Sequence, residues 1–305
     1  MFSIDKKNYL PILFAILAAI VAAFSPPLSK MVVTDIPPVM TAAFLNLGSG
    51  IGMLLIGLVG IKTPLMSRER RLKKSDLPNL IGLTACEMLA AICMMVGLTL
   101  TTAANASLLN NFETVTTAVF ALIIFKELVP RRLWVAIILI TLGSLILSVE
   151  DFSTFSFSIG SLFVLGACVF WGFENNFMKR VSTRNPTEVV IFKGIFASIG
   201  CFIIALIMGE SLPSIQQILI VMLLGVFVYG IAIMFLIYSQ RGLGAAKAGT
   251  IYGISPFLAA GISCIMFQEL PGITFLIALV LMIPGIYLAS TTAKRKRKSR
   301  DVNSE

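Results

Sequence analysis

The stretch Ala103–Ser148, AANASLLNNFETVTTAVFALIIFKELVPRRLWVAIILITLGSLILS, decides the fold, because the chain contains it twice. Displaced by 142 positions, it falls without a gap on Ala245–Ser290, AAKAGTIYGISPFLAAGISCIMFQELPGITFLIALVLMIPGIYLAS. Twelve of the forty-six pairs are identical. Matches of Ala, Ile or Leu carry little weight in so apolar a chain. Phe125 on Phe267, Glu127 on Glu269, Leu128 on Leu270, Gly143 on Gly285 and Ser148 on Ser290 carry more. An internal repeat within a hydrophobic chain is a mark of membrane proteins built from two halves.

The rest of the chain is equally apolar. Of 305 residues, 57% are hydrophobic and 13% charged, and the mean hydropathy is +0.95, which excludes an ordinary soluble enzyme. Apolar runs of roughly 20 residues recur, each long enough to cross a hydrocarbon core of about 30 Å. In lipid the backbone must satisfy its own hydrogen bonds, so these runs must be helices. Ten spans are predicted: Tyr9–Ser29, Pro38–Gly60, Asn79–Leu98, Ala104–Phe125, Arg131–Glu150, Phe157–Lys179, Thr187–Gly209, Ser214–Tyr238, Ala246–Phe267 and Gly272–Thr292. Lys6 and Lys7 before an apolar run resemble a signal peptide, but nine further spans favour a first membrane helix. Pro26–Pro27 is expected to kink or break its end.

The loops set the orientation. With the N-terminus inside, 22 of the 24 Lys and Arg residues fall in cytoplasmic segments. Lys30 falls outside, and Lys193 lies within a span. Both termini are thus expected in the cytoplasm of a multi-pass protein of the cell membrane, a bacterial inner or plasma membrane. The basic tail 294–305 reads as a topology anchor, with lipid binding the lesser reading and no nucleic-acid partner. With five spans per half, the second half (151–293) enters the membrane upside down relative to the first (1–150). The fold class expected is therefore an all-α membrane protein of ten transmembrane helices, as two inverted five-helix repeats around a central cavity.

The ends of the two halves, AANASLLNNFETVTTAVFALIIFKEL…GSLILS and AAKAGTIYGISPFLAAGISCIMFQEL…PGIYLAS, resemble the drug/metabolite transporter superfamily, and within it the EamA-type ten-helix transporters. The family pattern is a small-residue start, a mid-helix Pro, a Glu at the helix end and a Gly in the last helix. Glu127 and Glu269 match the Glu, Gly143 and Gly285 the Gly, and Pro256 the Pro. Thr114 stands where the first half would carry its Pro, so the resemblance implies a kink only in the second copy. It further implies a central cavity and alternating access, and it leaves the substrate open.

Ionisable groups at membrane depth are costly and mark functional sites. Counting from the short loop at Thr99–Ala103, Glu87 lies ~20 Å and Glu113 ~15 Å into the membrane. Asn110, Glu113 and Thr117 form one polar stripe. The repeat carries Asn110 to Tyr252, Glu113 to Ser255 and Glu87 to Tyr229, so polar groups recur at matching depths. Trp171 reads as a cavity or core aromatic and Trp134 as an interfacial anchor. Glu174 and Lys193 are expected to pair across the sixth and seventh spans, as a buried ion pair or a gate. Glu127 and Glu269 read as helix-end caps or loop anchors. The Gly-rich segments Gly48–Gly60 and Gly242–Gly253 permit close helix packing. There is no histidine, and the five cysteines lack zinc-type spacing, so no metal and no cofactor is expected.

The function these features support is secondary transport of small organic metabolites, with export the expected direction. The alternatives are a non-transporting membrane scaffold or an intramembrane enzyme; the sequence leaves room for a homo-oligomer. Two carboxylates at mid-depth, with no lysine or arginine assigned there, suit a cationic, zwitterionic or amphipathic substrate such as an amino acid. Burial disfavours the charged form of a carboxylate, so Glu113 or Glu87 could exchange protons and couple transport to them. The topology is directly testable. Cysteines introduced at Ser67 and Lys298 should react with impermeant thiol reagents only from the cytoplasm, and one at Ser153 only from outside. Cytoplasmic labelling at Ser153 would refute the ten-span reading.

Overall fold

The computed structural model describes residues 9–58, 70–126, 131–151, 156–181, 184–243, 245–269 and 271–291. The basic loop around Ser67, Glu127, Leu128, Leu270, Ser153 and the tail lie outside the described residues. The chain forms fourteen described α-helices: α1 (Tyr9–Ala23), α2 (Ser25–Val33), α3 (Pro38–Leu58), α4 (Leu77–Leu100), α5 (Ala103–Leu109), α6 (Phe112–Phe125), α7 (Arg131–Ser148), α8 (Ile159–Val181), α9 (Pro186–Ile207), α10 (Ile215–Gly225), α11 (Ala232–Leu243), α12 (Ala245–Tyr252), α13 (Ser255–Phe267) and α14 (Ile273–Thr291). A 3₁₀ turn, Lys74–Asp76, precedes α4, and a π-helical segment, Val226–Ile231, joins α10 to α11. Among the described residues, seven helical stretches are long and apolar enough to cross a membrane. The expected all-α class is amended by one small antiparallel ribbon, β1 (Val149–Asp151) with β2 (Ser156–Phe157), pairing Val149 with Phe157.

Pro26–Pro27 break the first predicted span, as expected. The first helix stops at Phe24, and Pro26–Pro27 lie in the first turn of α2. There their missing N–H groups cost nothing. The fourth predicted span, read as continuous, is broken between α5 and α6 at Asn110–Asn111 although Thr114 replaces the proline. Asn111 Nδ2 donates to Leu108 O at 2.9 Å, the local side-chain bond by which Asn competes with a helix. The corresponding break in the second copy, at Gly253–Ile254, is followed by Pro256 in the first turn of α13. One architecture is thus reached with two residue chemistries. Both α6 and α13 end on left-handed residues, Lys126 and Gln268, each with φ 51°, and these occupy matching positions of the repeat.

Packing follows the same pairing. Helix α3 lies on α9, α5 on α13 and α7 on α14; α4 packs on α8 as α1 does on α11, and α6 on α8 as α13 does on α1. The α3–α9 contact brings backbones together: a Cβ on Gly194 would fall 2.6 Å from Gly50 N and 2.8 Å from Asn46 O. Small residues allow this approach, and dispersion contacts hold it. The core around it contains Met40, Leu45, Met95, Leu98, Leu108 and Leu109, all buried. Replacing Gly194 with Val should force these helices apart, at a cost of about 1–3 kcal/mol. It should lower the thermal midpoint of the detergent-purified protein. Gly261→Ala, where a Cβ meets nothing within 4 Å, should leave it unchanged. Equal midpoints for both variants would contradict the contact.

Candidate functional site

A cavity of about 450 Å³ runs between the helices, from Ser29 and Leu98 at one end to Arg184 and Pro186 at the other. Its wall draws on both copies of the repeat. Glu87, Asn110, Glu113, Trp171, Glu174, Lys193, Tyr229, Tyr252 and Ser255, all singled out from sequence, line it. Thr117 does not; its hydroxyl instead accepts from Asn175 Nδ2 at 3.1 Å, behind the lining.

The structure merges two groups that the sequence reading kept apart. Lys193 Nζ donates to Glu174 Oε1 at 2.9 Å, the expected pair, and also to Glu87 Oε2 at 3.2 Å. Trp171 Nε1 donates to the same Glu87 oxygen at 3.1 Å. Glu87, Glu174 and Lys193 are buried, at 1%, 6% and 5% exposure. The expectation that no cation lies beside Glu87 is therefore corrected. Nor can Glu174 and Lys193 be removed as an isolated pair, because that would strand Glu87. Three helices, α4, α8 and α9, meet on one ammonium.

Glu113 is held differently. It sits in the first turn of α6, where the helix N-terminus offsets part of the cost of a negative charge. Asn175 Nδ2 donates to its Oε1 at 2.6 Å. It has no ion pair among the described residues. Asn175 was missed in the sequence; the signal available was the polar run Glu174-Asn175-Asn176 within an apolar helix. Asn176 Nδ2 donates to Thr117 O at 3.2 Å, Thr116 Oγ1 to Cys168 O at 2.7 Å, and Cys168 Sγ lies 3.8 Å from Asn110 Oδ1. These bonds lock α6 on α8, with Phe120 stacked on Phe173 at 3.6 Å. Asn111 also lines the cavity, and its Oδ1 is buried with no donor among the described residues.

The opposite wall is shaped by backbone irregularity. Tyr229 sits in the π-helical segment, a local widening often found at functional sites. Tyr252 ends α12, and Ser255 begins α13. Broken helices of this kind bring helix ends to a cavity at membrane depth.

Each end of the cavity meets a latch. Arg184 pairs with Asp76, Nε to Oδ2 at 2.8 Å. At the far end Lys30 Nζ donates to the carbonyls of Leu98 and, at 2.8 Å, Thr101. Lys30 also lines a second pocket, of about 420 Å³, together with Glu269. The Lys30–Leu98 contact stands between the two spaces. Trp134, read as an interfacial anchor, is 45% exposed on α7 and far from this lining. Among the described residues no group of three His, Cys, Asp or Glu side chains could hold a metal ion.

Comparisons with known proteins agree with this architecture. An uncharacterized transporter of Methanothermobacter thermautotrophicus is 26% identical over 290 residues, covering 90% of this chain and 84% of its own. An uncharacterized transporter of Clostridium kluyveri is 24% identical over 82% of this chain and 86% of its own. The uncharacterized transporter YvbV of Bacillus subtilis is 26% identical over 89% and 88%. A solved crystal structure matches with a TM-score of 0.65 at 17% identity, over 96% of this chain and 99% of its own, which speaks for the fold alone. The model of the EamA-like transporter family matches residues 9–149 and again 158–291. The chain is thus a multi-pass membrane protein and a member of the EamA-like transporter family.

Proposed function

We propose that this protein is a secondary transporter that exports small amine-bearing metabolites, amino-acid-like, cationic or amphipathic, by alternating access, and that protons drive the exchange. One observation carries the substrate class. Glu113, on the cavity wall, has no cation partner among the described residues, whereas Glu87 and Glu174 share Lys193. A substrate ammonium completes Glu113, and Asn111 Oδ1, without a donor among the described residues, offers an acceptor on the same cavity. Asn110, Tyr229, Tyr252 and Ser255 border the remainder of the molecule, and Trp171 offers an aromatic face. Anionic substrates fit poorly, because the charge of Lys193 is already engaged by two carboxylates.

Alternating access rests on ten spans arranged as two inverted repeats, 1–150 and 151–293, followed by the basic tail 294–305. The reading is supported by the pairing of α3 with α9, α5 with α13 and α7 with α14. It is supported also by the matching breaks and the matching left-handed residues. With the termini in the cytoplasm, the Arg184–Asp76 latch faces the cytoplasm and Lys30 the outside.

Glu113→Gln keeps shape and hydrogen bonding but removes the charge. In proteoliposomes, exchange of labelled amino acids and amines should fall at least about tenfold, the equivalent of one lost charge-assisted bond of ~1.4 kcal/mol. Insertion and thermal midpoint should be retained. Unchanged exchange would exclude Glu113 as the amine site. No exchange by the wild type with any amine would favour the scaffold reading, and product formation without flux an intramembrane enzyme.

A further inference from the structure

The cluster at Lys193 carries more than its role in packing. Two carboxyls and one ammonium are buried together, so the group is singly negative if both carboxyls are ionised. Arg184, the other cation along the cavity, is engaged with Asp76. Among the described residues, the other titratable groups near the cluster are the thiols of Cys86 on α4 and Cys201 on α9, the phenols of Tyr229 and Tyr252, and Glu113 on α6. None of these adds positive charge. An uncompensated charge in such a place is costly.

A second observation points to what compensates it. Glu87 Oε1 is fully buried and receives no hydrogen bond from any donor among the described residues. Its other oxygen receives two, from Trp171 and Lys193. The carboxyls of Glu87 and Glu174 accept from the same Lys193 ammonium, at 3.2 and 2.9 Å, which holds the two side by side. Two carboxyls that close favour holding one proton between them, and that proton supplies the missing donor.

We propose that Glu87, Glu174 and Lys193 form one proton-binding site, in which a single proton is shared by the two carboxyls and Lys193 balances the remaining charge. The triad is neutral with the proton in place. Loss of the proton leaves a net negative charge, which is tolerable only when the cavity admits water or a substrate cation. The site rests on the transporter reading only for its purpose, as the place of the coupling proton. Glu113 then serves the substrate, and the two carboxylate sites divide the labour across the cavity.

The test needs no substrate. The protein is reconstituted in phosphatidylcholine–phosphatidylglycerol bilayers, and its protonated-carboxyl stretch is followed by infrared spectroscopy against pH. The wild type should show, beside any band from Glu113, a carboxyl band that is lost in Glu87→Gln and equally in Glu174→Gln. Either variant leaves one carboxylate and one ammonium, already neutral. Glu113→Gln should keep that band. Lys193→Met, if it folds, should roughly double it, since both carboxyls then take a proton; the two Gln variants decide the matter if it does not. A band indifferent to both Gln changes overturns the proposal. A band lost in only one of them assigns the proton to a single residue and overturns the sharing. Failure of amine exchange in liposomes would remove the transporter reading without touching this spectrum.

Discussion

The arrangement of the cavity depends on one ammonium. Lys193 reaches from α9 to a carboxyl on α4 and another on α8, and Trp171 adds an indole N–H to the same cluster. None of these groups could be left in hydrocarbon alone. Their mutual satisfaction fixes the relative rotation of three helices, and hence which faces look into the cavity. The α6–α8 seam then follows, because α8 positions Asn175 and Asn176 against Glu113 and Thr117. Polar bonds set direction here, while the close approach of Gly50 and Gly194 sets distance.

Much of this was legible before any coordinate. Apolar run length and charged loops located the helices to within a few residues, since lipid leaves the backbone few choices. The repeat offset of 142 pointed from Glu87, Asn110 and Glu113 to Tyr229, Tyr252 and Ser255, and all six line one cavity. Glu174 and Lys193 could be paired from their shared distance to one loop. What stayed hidden depends on rotation about helix axes. That Lys193 also faces Glu87 is a relation between α4 and α9 with no sequence period. Thr117 looked like lining because it shares a stripe with Glu113, yet Asn175 stands between it and the space.

The breaks were hidden for a different reason. Proline is the breaker a reader looks for, and the first copy lacks it. Asn111 supplies the turn through its side chain, a signal too common to be noticed in isolation. Nothing in Val226–Ile231 announces a π-helical segment either; Gly225 and Gly230 flank or join it, but so do glycines in regular helices here. Local irregularities at the cavity were thus the least readable features, although they shape its wall.

The π-helical segment has an evolutionary reading. A π turn arises when a helix takes in one extra residue without unwinding, and each residue of a regular helix turns the chain by about 100°. Loss of a single residue within Val226–Ile231 would therefore be taken up locally, re-placing Tyr229 on the cavity wall while α10 kept its seat on α3 and α11 its seat on α12. The cavity wall at Tyr229 is in this way open to change through one insertion or deletion, with the scaffold on either side preserved, rather than only through a series of side-chain replacements.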